Sequence, residues 1–342
     1  MSAITAGGDL VHYEVLGRGR PVVLIHGWVG SWRYWIPTMQ LLQNNYRAYA
    51  LDLYGFGDSA KDPKRYSLEH QIALLDDFMQ QLGIPKAAMI GHGLGALIIA
   101  EFARRYNDRV PRMLLVDPPL FDPGDLERRV PAGRRVLQSR PTIPEPETND
   151  PNAPTVMSAS AAMRAALIEA ARARSGGLPP ELEQLAARSA SDPLHGMGQN
   201  HNPLATLMDG NTPDVLLARC FRRSEPNYEK LSVDIAKVDP GVLHKSVETF
   251  DSGRMLDTLR LLTVPILVVH GNQDPLIPQP SEEILNYITL DKENLLLPIL
   301  LPNVRHFPML EDDRFPRLAT EFLEAPDISR LEMKERWRRR TR

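Results

Sequence analysis

The sequence predicts an α/β fold in which a mostly parallel sheet is flanked by helices and carries a helical insertion. Two observations support this prediction. Short apolar runs of strand length alternate with segments of helical periodicity, which is typical of parallel strands covered on both faces. Between about residues 121 and 254 the alternation stops, and helical patterns follow one another without a strand-length run.

The elements of the core follow from their apolar spacing. A helix is predicted over 67–83, where apolar residues recur at helical intervals, with Ser67 as its N-cap and Gly83 at its end. A closing helix is predicted over 315–323. Buried strands are predicted where apolar runs are continuous, at 21–26, 46–52, 87–90, 113–117, 265–270 and 295–301.

The insertion and the two ends complete the predicted organisation. Six prolines within 131–155 predict a mobile segment, and helical composition follows in 156–190, in "DVLLARCF" and in "YEKLSVDIAKV". We expect an α/β core built from 1–120 and 255–325, a helical cap over 121–254 and a basic tail over 326–342. The tail is more simply interpreted as a solvated helix than as a surface for an anionic partner.

Composition excludes several classes of protein. The formal net charge of -3 over 342 residues lacks the excess of basic residues that is typical of nucleic-acid-binding proteins. A single cysteine, Cys220, rules out an intrachain disulfide framework. The first residues lack a basic-then-apolar signal, and no apolar run reaches about 18 residues. These features predict a cytoplasmic protein without a membrane span.

Five short motifs, in chain order, resemble those of the α/β-hydrolase superfamily. The resemblance covers roughly 9–120 and 255–325, and it implies a capped, esterase-like hydrolase that needs no cofactor. The five motifs are "LIHGWVGSWRYW" (24–35), "LDLYGFGDS" (51–59), "GHGLG" (91–95), "HGNQDPLIP" (270–278) and "NVRHFPMLE" (303–311).

The third motif departs from the family at its central position. The superfamily carries its nucleophile in a Gly-x-Ser-x-Gly turn between a strand and a helix. Here the central residue is Gly93, which has no side chain, while Gly91 and Gly95 supply the small volume that the turn requires. The resemblance implies that the backbone N–H groups of Leu94 and Trp28 form an oxyanion hole, which the loss of a serine side chain leaves in place.

The remaining site residues are also implied by the resemblance. His306 matches the catalytic base, and Asp274 matches the carboxylate that orients it, with Asp117 as the alternative acid. Arg305 stands where the family commonly has a glycine, which leaves the path of that loop open. The pocket is expected to include His26, Gly27 and His92.

Three functions are weighed on this site, and a lyase or another base-driven, cofactor-free reaction with His306 as the base is left open beside them. In the first, His306 activates a water molecule that hydrolyses a small apolar ester or lactone without a covalent intermediate. In the second, a serine esterase has been inactivated by an introduced Ser→Gly change at position 93. In the third, the chain is a non-enzymatic binder of a small ligand. The retained Asp274 and His306 favour the first two, because a binder needs neither.

Two further classes are disfavoured. Dehalogenases and epoxide hydrolases of the superfamily place an aspartate where Gly93 stands, so the resemblance does not extend to their chemistry. His195 and His201 flank "GMGQN", but no carboxylate or cysteine pattern accompanies them, so no metal site is expected there.

Overall fold

The computed structural model describes residues 2–129 and 202–331, which belong to one compact unit. Their strands form a single sheet of eight, in the order β1-β2-β4-β3-β5-β6-β7-β8. The strands are β1 Ser2–Ala6, β2 Asp9–Gly17, β3 Arg20–Ile25, β4 Tyr46–Leu51, β5 Ala88–His92, β6 Met113–Val116, β7 Ile266–Gly271 and β8 Leu296–Leu301.

The predicted sheet is confirmed, and two strands are added to it. Strands β3 to β8 pair in parallel, whereas β1 and β2 form an antiparallel hairpin that joins the edge of β4. All six predicted strands are present. The sequence reasoning missed β1 and β2 because it relied on continuous apolar runs, and these edge strands include exposed and half-exposed residues.

Helices pack on this sheet in two groups. Helix α1 contacts α12, β2 and β4, while α3 contacts β3, β5, β6, α2 and α9. The helices are α1 Ile36–Leu42, α2 Leu68–Gln81, α3 Leu94–Arg105, α4 Leu126–Arg129, α5 Pro203–Met208, α6 Pro213–Cys220, α7 Pro226–Ile235, α8 Gly241–Val247, α9 Ser252–Leu261, α10 Glu282–Thr289, α11 Pro308–Glu311 and α12 Phe315–Glu324.

The predicted bounds of α2 are confirmed by its end groups. The Ser67 hydroxyl accepts a hydrogen bond from the backbone N–H of His70 at 3.3 Å, which satisfies one of the donors that a helix start leaves free. Gly83 follows the helix with a positive φ of 63°, a conformation that favours glycine.

The insertion is helical wherever the structure describes it. Within 121–129 and 202–254 there are helices and no strand, and the two helices predicted from "DVLLARCF" and "YEKLSVDIAKV" are α6 and α7. The Pro-rich segment 131–155, the helical composition of 156–190, His195, His201 and most of the basic tail lie outside the described residues. No helix in the described parts is long and apolar enough to cross a membrane.

The sheet brings several loops of the sequence motifs to one edge. Strands β3, β5, β6 and β7 are buried along most of their length and run in the same direction. Their carboxyl ends therefore meet at one edge, where open α/β sheets place their ligands. The site described next lies at this edge.

Candidate active site

The turn between β5 and α3 is closed so tightly that it admits only glycine at two positions. A Cβ on Gly91 would lie 2.5 Å from the carbonyl carbon of Gly95, and a Cβ on Gly95 would overlap the carbonyl oxygen of Ile25. Between them, Gly93 has φ 51° and ψ -108° and is the N-cap of α3. The turn thus points the free N–H groups of the helix start toward the sheet edge.

The indole of Trp28 fills the space beside Gly93. A Cβ on Gly93 would lie 3.0 Å from Cζ3 and 3.1 Å from Cε3 of that ring. Trp28 is only 1% exposed, and its Nε1–H donates to the Ser246 hydroxyl of α8 at 3.2 Å. A side chain at position 93 therefore requires this packed and hydrogen-bonded ring to shift by a few tenths of an ångström.

His306 and Asp274 form a buried pair. Nδ1 of His306 lies 2.7 Å from Oδ2 of Asp274, and both side chains are fully buried. The other oxygen of Asp274 accepts the backbone N–H groups of Leu276 and Ile277, at 2.7 and 3.1 Å. Because Nδ1–H donates to the carboxylate, the lone pair of His306 is on Nε2, for which the described residues provide no hydrogen-bond partner.

Asp117 lies in the same cluster without contacting Nδ1 of His306. Its Oδ1 accepts the backbone N–H of Gly271 at 2.9 Å, and its Oδ2 is 3.9 Å from Nε2 of His92. Of the two acids that the sequence offers, Asp274 is therefore the one bonded to the histidine.

The loop that carries His306 is braced by Arg305. The two terminal nitrogens of its guanidinium donate to Glu225 at 3.1 and 2.6 Å, and Nε donates to Glu311 at 2.9 Å. Glu311 also accepts the backbone N–H of Phe307 at 3.0 Å. Hydrogen bonding to Arg305 lowers the pKa of Glu225 to about 2. Arg305, which stands where the family commonly has a glycine, is thus compatible with a loop that places His306 within hydrogen-bond distance of Asp274.

His26 and Gly27, which the resemblance places in the pocket, also hold two loops together. His26 donates from Nδ1 to the carbonyl oxygen of Gly27 at 2.8 Å and accepts the backbone N–H of Leu53 at Nε2, 3.0 Å away. Both residues are buried. Every ring nitrogen of His26 is therefore occupied by the scaffold.

His92 links the turn to His306 and to an aromatic residue that the sequence reasoning did not single out. Its ring centroid lies 4.5 Å from that of His306. The Tyr34 hydroxyl shares a 2.9 Å hydrogen bond with Nδ1 of His92 and accepts the backbone N–H of Gly27 at 2.6 Å. Tyr34 follows the His-Gly motif as one of several aromatic residues, and nothing in that pattern marks it as the one that contacts His92.

Burial sets the charge state of this cluster. It lowers the pKa of His26 and of His92, the latter strongly and with a contribution from the nearby His306. Burial also lowers the pKa of His270 to about 4. Asp117 has a strongly raised pKa because it is buried and because Asp274 repels its negative charge. The imidazoles of His26, His92 and His270 are therefore neutral at pH 7.

The depressed pKa of His270 predicts a specific pH dependence of stability. Unfolding returns the pKa of His270 from about 4 to about 6.5. Between these two pH values the unfolded chain binds a proton at His270 and the folded chain does not. The resulting contribution of His270 to the free energy of unfolding is fully present above about pH 6.5 and is lost as the pH falls toward 4. Between pH 6 and 5 the unfolding free energy of the parent should fall by about 1 kcal/mol more than that of His270→Gln.

Urea unfolding of both proteins at pH 7.5, 6 and 5 measures this difference. His70→Gln, which removes a half-buried histidine on α2 away from the cluster, is the matched control and should follow the parent. Parallel pH curves for the parent and His270→Gln would show that His270 is not held neutral by burial.

Comparison with known proteins gives the family of this chain. Residues 20–313 match the model of the alpha/beta hydrolase fold family. The chain is 33% identical over 120 residues to a soluble epoxide hydrolase of Corynebacterium sp. (strain C12), and 33% identical over 121 residues to bifunctional epoxide hydrolase 2 of Rattus norvegicus. Each match covers 34% of this chain, but only 42% and 22% of those relatives.

A solved structure agrees with the fold over almost the whole chain. An esterase from Exiguobacterium antarcticum superposes with a TM-score of 0.60, covering 95% of this chain and 99% of the esterase at 17% sequence identity. The match to the family model and the eight-stranded sheet lead to the same conclusion: this chain belongs to the α/β-hydrolase fold family.

Proposed function

We propose that this protein is an ester hydrolase in which a water molecule, activated by His306, attacks the substrate directly. The observation that carries the proposal is the buried His306–Asp274 pair at 2.7 Å, with Nε2 of His306 left without a hydrogen-bond partner among the described residues. It lies beside His92, whose neighbour Gly93 stands at the family's nucleophile position. The base is retained there, and the residue that it would activate has no side chain.

The proton transfers follow from this geometry. Nε2 of His306 takes a proton from water while the water oxygen bonds to the ester carbonyl carbon. Asp274 stabilises the imidazolium that forms and keeps its proton-accepting nitrogen turned toward the substrate. When the tetrahedral intermediate collapses, the imidazolium returns the proton to the leaving alkoxide. The products are an acid and an alcohol, and no bond to the protein forms.

Backbone groups are the proposed oxyanion donors. Leu94 is the first residue of α3, so its N–H is among those that have no acceptor within the helix. Trp28, which follows His26 and Gly27 after β3, supplies the second N–H in the family's arrangement. Both donors are fixed by a turn and a helix start rather than by a side chain, so they need no reorganisation when charge develops.

The substrate class is a small apolar ester or lactone. The likeness to a solved esterase is the support for this choice. The turn argues against epoxide chemistry like that of the sequence relatives, because Gly93 offers no carboxylate for a covalent intermediate. An introduced Ser→Gly change at position 93 is the second candidate, because a Cβ there needs only a shift of a few tenths of an ångström in Trp28. A pure ligand-binding role leaves the His306–Asp274 pair without a use.

The first prediction for this function concerns the base. His306→Gln should lower the rate of p-nitrophenyl acetate hydrolysis by about 10²- to 10⁴-fold, because general-base assistance is worth that much. Asp274→Asn should also lower the rate, since the imidazole loses the acceptor that orients it. Rates are measured with the purified proteins after subtraction of spontaneous hydrolysis. Cys220→Ala, which removes a buried thiol on α6, is the control and should keep the parent rate. Equal rates for the parent and His306→Gln would exclude water activation by His306.

The second prediction restores the missing hydroxyl. Gly93→Ser should raise esterase activity at least about 100-fold. We expect less than the roughly 10⁶-fold that a complete triad contributes in a serine protease, because Trp28 has to shift by a few tenths of an ångström to admit the Cβ. It should also acquire labelling by a fluorophosphonate, which the parent lacks at this turn.

Gly93→Ala separates chemistry from strain in this experiment. It adds the same Cβ beside Trp28 without a hydroxyl, so it should share the loss of stability and gain neither activity nor labelling. A folded Gly93→Ser protein that stays inert across an ester panel would show that the site is not arranged for acyl transfer.

A further inference from the structure

The hydroxyl of Tyr34 joins two loops that follow different strands. It accepts the backbone N–H of Gly27, in the loop after β3, with N and O 2.6 Å apart. It also shares a 2.9 Å hydrogen bond with Nδ1 of His92, at the end of β5. Tyr34 lies in a single helical turn, Trp32–Trp35, and is only 3% exposed. One buried oxygen atom therefore holds the loop after β3 against the turn after β5.

The proton of this hydroxyl can be placed. Because the N–H of Gly27 donates to the Tyr34 oxygen, the single hydroxyl proton is left for His92, whose Nδ1 is then the acceptor. Burial raises the pKa of Tyr34 well above its ordinary value, so the proton stays on the hydroxyl at neutral pH. Burial also keeps His92 neutral, by strongly lowering its pKa. The one ring proton of His92 is consequently on Nε2.

Gly27 is held at both of its peptide groups. Tyr34 accepts its N–H, and its carbonyl oxygen accepts Nδ1–H of His26 at 2.8 Å. In a planar trans peptide the N–H points opposite to the carbonyl, so the carbonyl of Gly27 sets the direction of the N–H of Trp28. The N–H of Trp28 is one of the two proposed oxyanion donors. The hydrogen bonds at Gly27 thus fix the direction of that donor.

The two loops are closely packed where Tyr34 joins them. A Cβ on Gly27 would lie 3.1 Å from Nδ1 of His92 and 3.1 Å from its carbonyl oxygen. The centroid of the His92 ring is 4.5 Å from that of His306. A change at the Tyr34 hydroxyl therefore reaches the loop of the proposed oxyanion donor through Gly27, and the proposed base through His92.

We propose that Tyr34 is a positioning residue for hydrolysis at this site: its hydroxyl holds the N–H of Trp28 in register with the ring of His306. The inference rests on the proposed function, because these two groups have their roles only in that reaction. Tyr34 acts through Gly27 and His92, whose polar atoms it bonds. The position requires a group that accepts one hydrogen bond and donates another, which phenylalanine does not supply.

Tyr34→Phe removes the oxygen and keeps the ring, so it tests the hydroxyl alone. With p-nitrophenyl acetate we expect kcat to fall by about 10- to 100-fold, because a misplacement of about 1 Å can cost about 100-fold in rate. KM should stay within about twofold, since the lost interaction orients groups that act in the transition state. Rates are corrected for spontaneous hydrolysis. Circular dichroism establishes that the variant is folded.

Tyr54→Phe is the matched control. It removes another buried tyrosine hydroxyl, which donates to the carbonyl oxygen of Ala6 on β1 at 2.9 Å. Urea unfolding should show that both variants lose stability, whereas only Tyr34→Phe should lose kcat. A purely structural role of the Tyr34 hydroxyl predicts a loss of stability with the parent kcat.

The same substitution in the Gly93→Ser protein separates this inference from the proposed water attack. Acyl transfer by a serine uses the same oxyanion donors and the same base, so Tyr34→Phe should lower kcat there by a similar factor. An inert parent beside an active Gly93→Ser protein would contradict the water attack alone, and the Gly93→Ser pair would then decide the inference. An unchanged kcat in folded Tyr34→Phe, in either active background, would overturn it, as would an equal loss in Tyr54→Phe. If the parent and Gly93→Ser are both inert, both proposals fall.

Discussion

The close approach of helix α3 to strands β3 and β5 is the constraint on which the rest of the site depends. The backbone of the helix start lies so near that of Ile25 that Gly95 has no room for a Cβ, and Gly91 has none for the same reason. This approach brings the N–H groups of α3 to the carboxyl edge of the parallel strands. It also leaves Gly93 at a positive φ, where a side chain is strained. The preference for glycine and the proposed oxyanion donors have the same cause.

Burial explains why the protonation states of the side chains at this sheet edge depend on one another. His92, Asp117 and His270 lie in the protein interior, where an isolated charge is costly, and burial shifts the pKa of each toward its neutral form. His306 and Asp274 form a short contact of 2.7 Å in this cluster, and the backbone supports the carboxylate. The histidine is thereby fixed in orientation while its second nitrogen stays available. That availability underlies the proposed water activation.

The sequence predicted the fold and the order of its motifs because those depend on local patterns. Continuous apolar runs identified the parallel strands. The match of "HGNQDPLIP" to the acid-bearing loop of the family favoured Asp274 over Asp117, and Asp274 is the acid bonded to His306. The edge strands β1 and β2 were missed because their burial is only partial. The contacts of Arg305 with Glu225, and of Tyr34 with His92, join residues 80 and 58 positions apart. Such pairings arise from tertiary packing, and no local pattern specifies them.

The central claim is that hydrolysis at this site proceeds without a covalent intermediate. Rapid-quench mass spectrometry of the parent protein during its first turnovers of p-nitrophenyl acetate tests this claim most directly, together with the time course of p-nitrophenol release. Attack by water predicts a linear time course from the first turnover and an unmodified protein mass at every time point. A burst equal to the protein concentration, accompanied by an acetylated chain that then decays, would contradict the account.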